Sequence, residues 1–130
     1  MSRELSFVVD LHPLNRWLLV PLDFPGNIKV KMVLDTGSAL SAISEETRDK
    51  LVAAGLIGAP SGRFYTLRAP YIHDVEIADL RVHVSRRVSI VQAEGLLGLD
   101  FLQRLEQVHF HVPTLRLTLT YPPQPAATDV

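Results

Sequence analysis

The chain has 130 residues, of which 47% are apolar and 21% charged, and its formal net charge is -1. That length suits a single domain with a real core, and the composition is that of an ordinary globular protein. The near-zero charge supplies no field to draw nucleic acid or an acidic membrane surface, and the lack of cysteine excludes disulfides and thiolate metal sites.

Met1-Ser2-Arg3-Glu4 leads into strand-like alternation rather than a long apolar run, so no signal peptide is expected. Leu5, Phe7, Val9 and Leu11 alternate with other residues, as in a half-buried strand, and Pro13 interrupts them. Trp17 to Leu22 is a second apolar run, closed by Pro21 and the turn segment Phe24-Pro25-Gly26-Asn27. Ile28, Val30, Met32 and Leu34 alternate with Lys29, Lys31 and Val33, and this third strand feeds directly into Asp35. Ser44 to Ala54 reads as the one clear helix. Ser44 is its N-cap, Glu45 and Glu46 sit where the helix dipole favours anions, and Gly55 suits the stop.

Pro60-Ser61-Gly62 marks a loop, and strand patterns dominate after it. Phe64 to Leu67 is short. Tyr71 to Ile77 and Leu80 to Val84 read as two strands around Ala78-Asp79, and Val88, Ile90 and Val91 as another. Leu96 to Leu105 suits a short buried helix after a glycine turn. Val108, Phe110 and Val112 alternate again, and Leu115, Leu117, Leu119 and Tyr121 form the last strand. Pro122-Pro123-Gln124-Pro125 ends regular structure, so residues 122–130 are expected to be a disordered Pro-rich tail after one domain over 1–121. No stretch approaches the roughly 18 apolar residues of a membrane span, and a cytoplasmic protein is expected. Many short strands with one or two helices imply a mainly β domain.

The most informative stretch is Val33-Leu34-Asp35-Thr36-Gly37-Ser38, an acidic residue presented at a strand end on a tight turn. Alone, the tripeptide is explained as well by an ordinary turn, where Asp and Gly serve the backbone. A second signature follows: Gly95-Leu96-Leu97-Gly98-Leu99-Asp100-Phe101-Leu102. Together, in this order, the two resemble the retropepsin-like aspartic peptidases, over roughly Phe24 to Leu119. The resemblance implies a retropepsin-like closed β-barrel, a single pepsin-type lobe with one or two short helices, that acts as a homodimer. It implies that Asp35 is the catalytic acid. Thr36 would turn its hydroxyl to the dimer centre, Gly37 would donate its amide to the carboxylate, and Ser38 would bond an outer carboxylate oxygen. Leu96, Leu97 and Gly98 would form the strand end that crosses behind the loop, and Asp100 would belong to the supporting helix. No metal or organic cofactor is implied.

Aspartic peptidases need two carboxylates close enough to share a proton, one to activate water and one to protonate the substrate. This chain carries Asp-Thr-Gly once, so the second carboxylate would be Asp35 of another copy. The expected activity is hydrolysis of a peptide or protein substrate by a homodimer, with no nucleic-acid or membrane partner. The rival reading is the same fold used as a dimerisation or peptide-binding module, with Asp35 kept for loop structure. A covering β-hairpin is expected between Gly62 and Ile72, short, and turning near Leu67-Arg68-Ala69-Pro70. The first and last strands, around Leu5–Leu11 and Leu115–Tyr121, are candidates for an intersubunit sheet.

Other groups read more plainly. His109 and His111 share a strand face without a nearby third ligand and are expected to be exposed or half-exposed strand histidines. Arg86 and Arg87 with Arg81 and His83 make a small basic cluster, read first as a solvated face and second as an anion or partner contact. Trp17 is expected in the core or at the dimer interface.

Overall fold

The computed structural model describes residues 3–123. Of the tail expected over 122–130, all but Pro122 and Pro123 lies outside the described residues. The architecture is mainly β, with twelve strands and three short α-helices among the described residues.

The first strand pattern divides. β1 (Arg3–Val8) and β2 (Asp10–Leu11) belong to different sheets, with the Val9 N–H donating to Leu115 O at 2.9 Å between them. β1 pairs antiparallel with β12 (Arg116–Tyr121), which also pairs antiparallel with β11 (Gln107–His111). β12 is therefore the middle strand of a three-stranded sheet, and both its edges are already bonded. Of the two terminal strands expected to extend a sheet across a dimer, only β1 has a free edge.

The second sheet curls into a half-barrel. β3 (Leu18–Phe24) and β4 (Ile28–Leu34) form its central hairpin, turning at Gly26 and Asn27, which both take positive φ. β3 runs straight through Pro21, which was expected to close it. On its other side, β2 pairs only with Leu18 and Leu19 and β7 (Tyr71–Ile72) only with Asp23. Pro21 falls in the gap between these partners, where its missing N–H costs no bond.

α1 (Glu45–Ala53) forms as its pattern dictates. The Ser44 hydroxyl accepts from the Thr47 N–H at 3.0 Å, and the helix ends in a Schellman motif. Leu56 N–H donates to Leu51 O and Gly55 N–H to Val52 O, with Gly55 at φ +72°.

Three expectations after α1 change. β6 (Phe64–Leu67) and β7 do not make a hairpin with each other. β6 pairs with β9 (Leu80–Val84), and β7 with β8 (Val75–Glu76) through a turn at His73. Asp79 holds the segment between them by accepting the Ala69 N–H at 2.7 Å. The stretch from Arg86 to Ile90 is a helix, α2, rather than a strand. Ser85 caps it, and of its apolar residues Val88 is buried while Ile90 is 77% exposed, which is a one-sided helical pattern. Finally, Leu96–Leu105 is not one helix. It starts as a strand, β10 (Gly95–Leu97), and only α3 (Leu99–Leu102) is helical.

β10 organises the sheet. It lies parallel to β4 and antiparallel to β5 (Ala42–Ile43), so it is threaded between the strands on either side of the Asp35 loop. Core side chains lie on the concave side: Val20, Leu22, Val30, Met32, Ile43 and Leu97 are all essentially inaccessible. Leu117 and Leu119 of the smaller sheet and Phe101 of α3 complete the same core. Among the described residues, no helix is long and apolar enough to cross a membrane.

Tyr121 ends β12 with its hydroxyl buried and unpartnered. Burial raises its pKa above the ordinary 10.0, while Arg3, 5.5 Å from the ring centroid, pulls the other way. The folded state therefore keeps a proton that the unfolded chain releases, and stability falls as pH rises above about 10. Tyr121→Phe is expected to be as stable as the parent or more so at neutral pH, because it removes an unsatisfied hydroxyl. It should also lose less stability between about pH 8 and about pH 11 in urea unfolding. A variant with the full alkaline loss would contradict this assignment.

Candidate active site

Asp35 sits where β4 ends, and the backbone behind it is fixed. Its N–H donates to Leu97 O at 2.9 Å, extending the β4–β10 ladder by one bond. Its half-buried carboxylate accepts the Gly37 N–H at 2.9 Å, and its carbonyl accepts the Ser38 N–H at 3.3 Å. Gly37 keeps this contact uncrowded: a Cβ there would lie 3.2 Å from Asp35 Oδ1 and press the carboxylate aside by a few tenths of an ångström. Thr36 is exposed at the tip of the turn. Ser38 differs from its expected arrangement. Its one hydroxyl proton goes to Leu40 O at 2.7 Å, so it does not donate to the carboxylate.

Leu96-Leu97-Gly98 lies behind this loop, with Leu97 in the core and Leu96 facing the cleft. The tail of β10 grips the loop through backbone and side chain together. Leu99 N–H donates to Ser38 O at 2.8 Å, and Asp100 N–H to Ala39 O at 3.2 Å. A Cβ on Gly98 would stand 2.6 Å from Ser38 O and 2.9 Å from Leu40 O, so only glycine fits this crossing.

Two residues complete the grip. Buried Ser41 donates its hydroxyl to Asp100 Oδ1 at 2.6 Å and accepts the Gly98 N–H at 3.0 Å. The other Asp100 oxygen accepts the Ser41 N–H at 3.0 Å. Asp100 is thus a clamp on the Asp35 loop. Sequence reasoning placed it on the supporting helix but missed its partner Ser41, because a serine in a loop carries no distinguishing signal.

The head of β10 is held as firmly. Glu94 O accepts from the Ser44 N–H at 3.1 Å and the Thr47 hydroxyl at 2.8 Å. Its carboxylate pairs with Lys50 at 2.9 Å and accepts the Lys31 N–H at 3.1 Å. Gly95 follows, and a Cβ there would collide with Met32 Sδ and lie 2.9 Å from Ala42 O.

Asp35 opens into a cleft of about 400 Å³. Its floor is a cross-strand row, Val33, Leu96, Ala42 and His83, from four adjacent strands. Ser38, Ser85, Arg87 and Val91 line it further, and Asp35 is its one acidic residue. Trp17 forms part of the rim and is 40% exposed, so it is not a core residue.

The rim is tied together by His12, which sequence reasoning did not single out. His12 is 5% exposed, and its Nδ1 accepts the Leu14 and Asn15 N–H groups at 3.2 and 3.3 Å. The ring proton is therefore on Nε2, which donates to Gln92 O at 2.9 Å. His12 also donates its backbone N–H to Trp17 O at 2.8 Å. One buried imidazole so connects the Trp17 loop to the end of α2, on the Val91 side of the cleft.

No residue of the segment expected to cover the site, 62–72, lines the cleft. His109 and His111 are exposed on β11, as their pattern implied, and His111 Nδ1 is 2.8 Å from Thr114 Oγ1.

No protein-family model and no curated protein matches the chain. Solved structures do. A retropepsin-like aspartic protease from Rickettsia conorii superposes with TM-score 0.60 at 23% identity, over 93% of this chain and 94% of that one. The retroviral protease-like domain of Ddi1 from Leishmania major does so with TM-score 0.55 at 19% identity, over 88% and 97%. The fold is retropepsin-like.

Ser41→Ala tests the clamp. It strips Gly98 N–H and one Asp100 oxygen of a partner in a buried setting, and is expected to cost about 1–3 kcal/mol in urea unfolding. A loss below about 0.5 kcal/mol, the size of an ordinary surface change, would contradict the role given to Ser41.

Proposed function

We propose that this chain is a homodimeric aspartic endopeptidase, and that residues 1–121 form one retropepsin-like peptidase domain. The observation that carries the reading is a single half-buried carboxylate, Asp35, at the base of a cleft on a loop clamped from behind. The fold likeness to proteins named as proteases supports it.

In this mechanism the catalytic residue is Asp35, paired across a two-fold axis with its copy in a second chain. Two carboxylates at close range cannot both ionise, so the pair holds one proton between them, a behaviour taken from aspartic proteases at large. The ionised member takes a proton from water as it attacks the peptide carbonyl. The protonated member donates to the carbonyl oxygen and then to the leaving nitrogen. Gly37 N–H fixes the carboxylate's orientation, since its bond to Oδ1 is already made. Thr36 bonds the opposite loop in this reading, and its exposure at the turn supports that role. Ser38 supports the loop through Leu40 rather than through the acid. Leu96, Leu97 and Gly98 hold the loop from behind. The substrate is a peptide or protein segment in extended form. With no covering hairpin over 62–72 on the cleft, binding relies on the sheet floor and the Trp17 and Arg87 rims.

Asp35→Asn is expected to lower cleavage of an unstructured protein at about pH 4–7 by at least about a thousandfold, because it removes the base and the shared proton. The specific activity of the parent should also fall on dilution, since the monomer holds half a site. Cleavage that survives Asp35→Asn would sink this mechanism.

A further inference from the structure

The floor of the cleft does not end at His83. Paired residues on neighbouring strands share a face of the sheet, and His83 is paired with Phe64 on β6. Arg81, two residues before His83 on β9, shares that face as well. The Phe64 ring meets His83 edge-on, with centroids 6.4 Å apart at 82°. The Arg81 guanidinium lies 4.3 Å from the Phe64 centroid, and that of Arg63 lies 5.2 Å from it. On α2, which follows β9 in the chain, Arg87 lines the cleft itself. The face made by Phe64, His83 and Arg81 therefore continues the floor beside Asp35, with Arg63 against the Phe64 ring and Arg87, from α2, lining the cleft.

Arg63, Arg81 and Arg87 are exposed, and none pairs with a carboxylate among the described residues. Their neighbour Arg86 does pair, with Glu45 at 3.7 Å. His83 Nδ1 is buried without a hydrogen-bond partner. Both the Arg63 and the Arg81 guanidinium lie within cation–π range of Phe64, and the planar fork of N–H donors on a guanidinium matches a carboxylate. The chain as a whole is at -1, so this strip is a local departure from its charge balance.

We propose that the strip selects the substrate: the peptide this cleft takes carries Asp or Glu side chains on the segment that lies along β9. The inference rests on reading the cleft as a peptide site. Arg87 contacts the acidic segment nearest the reacting bond, and Arg81 and Arg63 contact it farther out. Solvated pairs are individually weak, and three together give a preference of about tenfold, weakened by salt.

The test uses Asp35→Asn protein, so that binding is read without turnover. A fluorescein-labelled peptide with a central apolar pair flanked by glutamates is compared with its glutamine isostere by anisotropy. The glutamate peptide is expected to bind about tenfold more tightly at low salt, with the gap closing at about 0.5 M salt. Adding Arg81→Glu and Arg87→Glu should reverse the preference, and Arg81→Gln with Arg87→Gln should abolish it; circular dichroism checks that each folds. Equal affinities, no binding of either peptide, or an unchanged preference in the charge-reversed protein overturns the proposal. So does a single-stranded oligonucleotide of matching charge that binds as tightly. Parent protein that cleaves both peptides equally would leave the peptidase reading standing and remove this one. Glutamate preference in a parent that cleaves neither would do the opposite.

Discussion

The structure depends on three residues passing through a narrow gap. β10 has to enter between β4 and β5 while the chain joining those two strands carries Asp35 around it. Backbone at such a crossing leaves no room for side chains, and glycine stands at both ends, Gly95 and Gly98. Close approach then allows the short bonds that hold the loop: Asp35 N–H to Leu97, Leu99 N–H to Ser38, Gly98 N–H to Ser41. Glu94 anchors the head of the strand to α1 and β4, and Asp100 anchors its tail to Ser41. Removing the threading would free the Asp35 turn, separate β4 from β5 and strip Leu97 from the core. Rigidity at the acid and stability of the sheet are thus one property, not two.

Much of this was legible in the sequence, for reasons that can be named. Alternation in β4 and β12 reports burial on one side of a sheet, and both strands form where their patterns place them. α1 announces itself through Ser44 and Gly55, whose bonds are local. Motif spacing located the loop and the strand behind it. The failures share a cause as well. Val88, Ile90 and Val91 look like a strand because β-branched residues favour one, but the Ser85 cap and burial of Val88 alone make a helix. Phe64–Leu67 and Tyr71–Ile72 look like a hairpin because they are neighbours in sequence, yet β6 pairs with β9, while β7 turns back on β8 and meets β3 at Asp23. Ser41 and His12 were invisible because their importance is tertiary: each is one polar side chain satisfying groups far along the chain.

The cleft reads as a compromise between openness and order. Nothing from residues 62–72 lines it, so a bound segment meets a floor rather than a tunnel. Order comes instead from below, through the threaded strand, and from the rim, where His12 ties the Trp17 loop to Gln92. On the proposed peptide reading, an open site leaves more of the recognition to charge on the adjoining sheet face, where Arg63 and Arg81 flank Phe64. The smaller sheet constrains assembly in turn. Since β12 is bonded on both sides, any extension of this smaller sheet into a second chain has to use the edge of β1 or of β11.

The central claim is that one functional site needs two Asp35 loops. Mixing tests it directly: parent protein at fixed concentration is equilibrated with increasing amounts of the Asp35→Asn chain, and cleavage is followed. Shared sites predict that inactive partners capture active chains, so turnover falls toward zero as the variant comes into excess. Turnover that stays proportional to the parent alone, whatever the excess, would contradict the account.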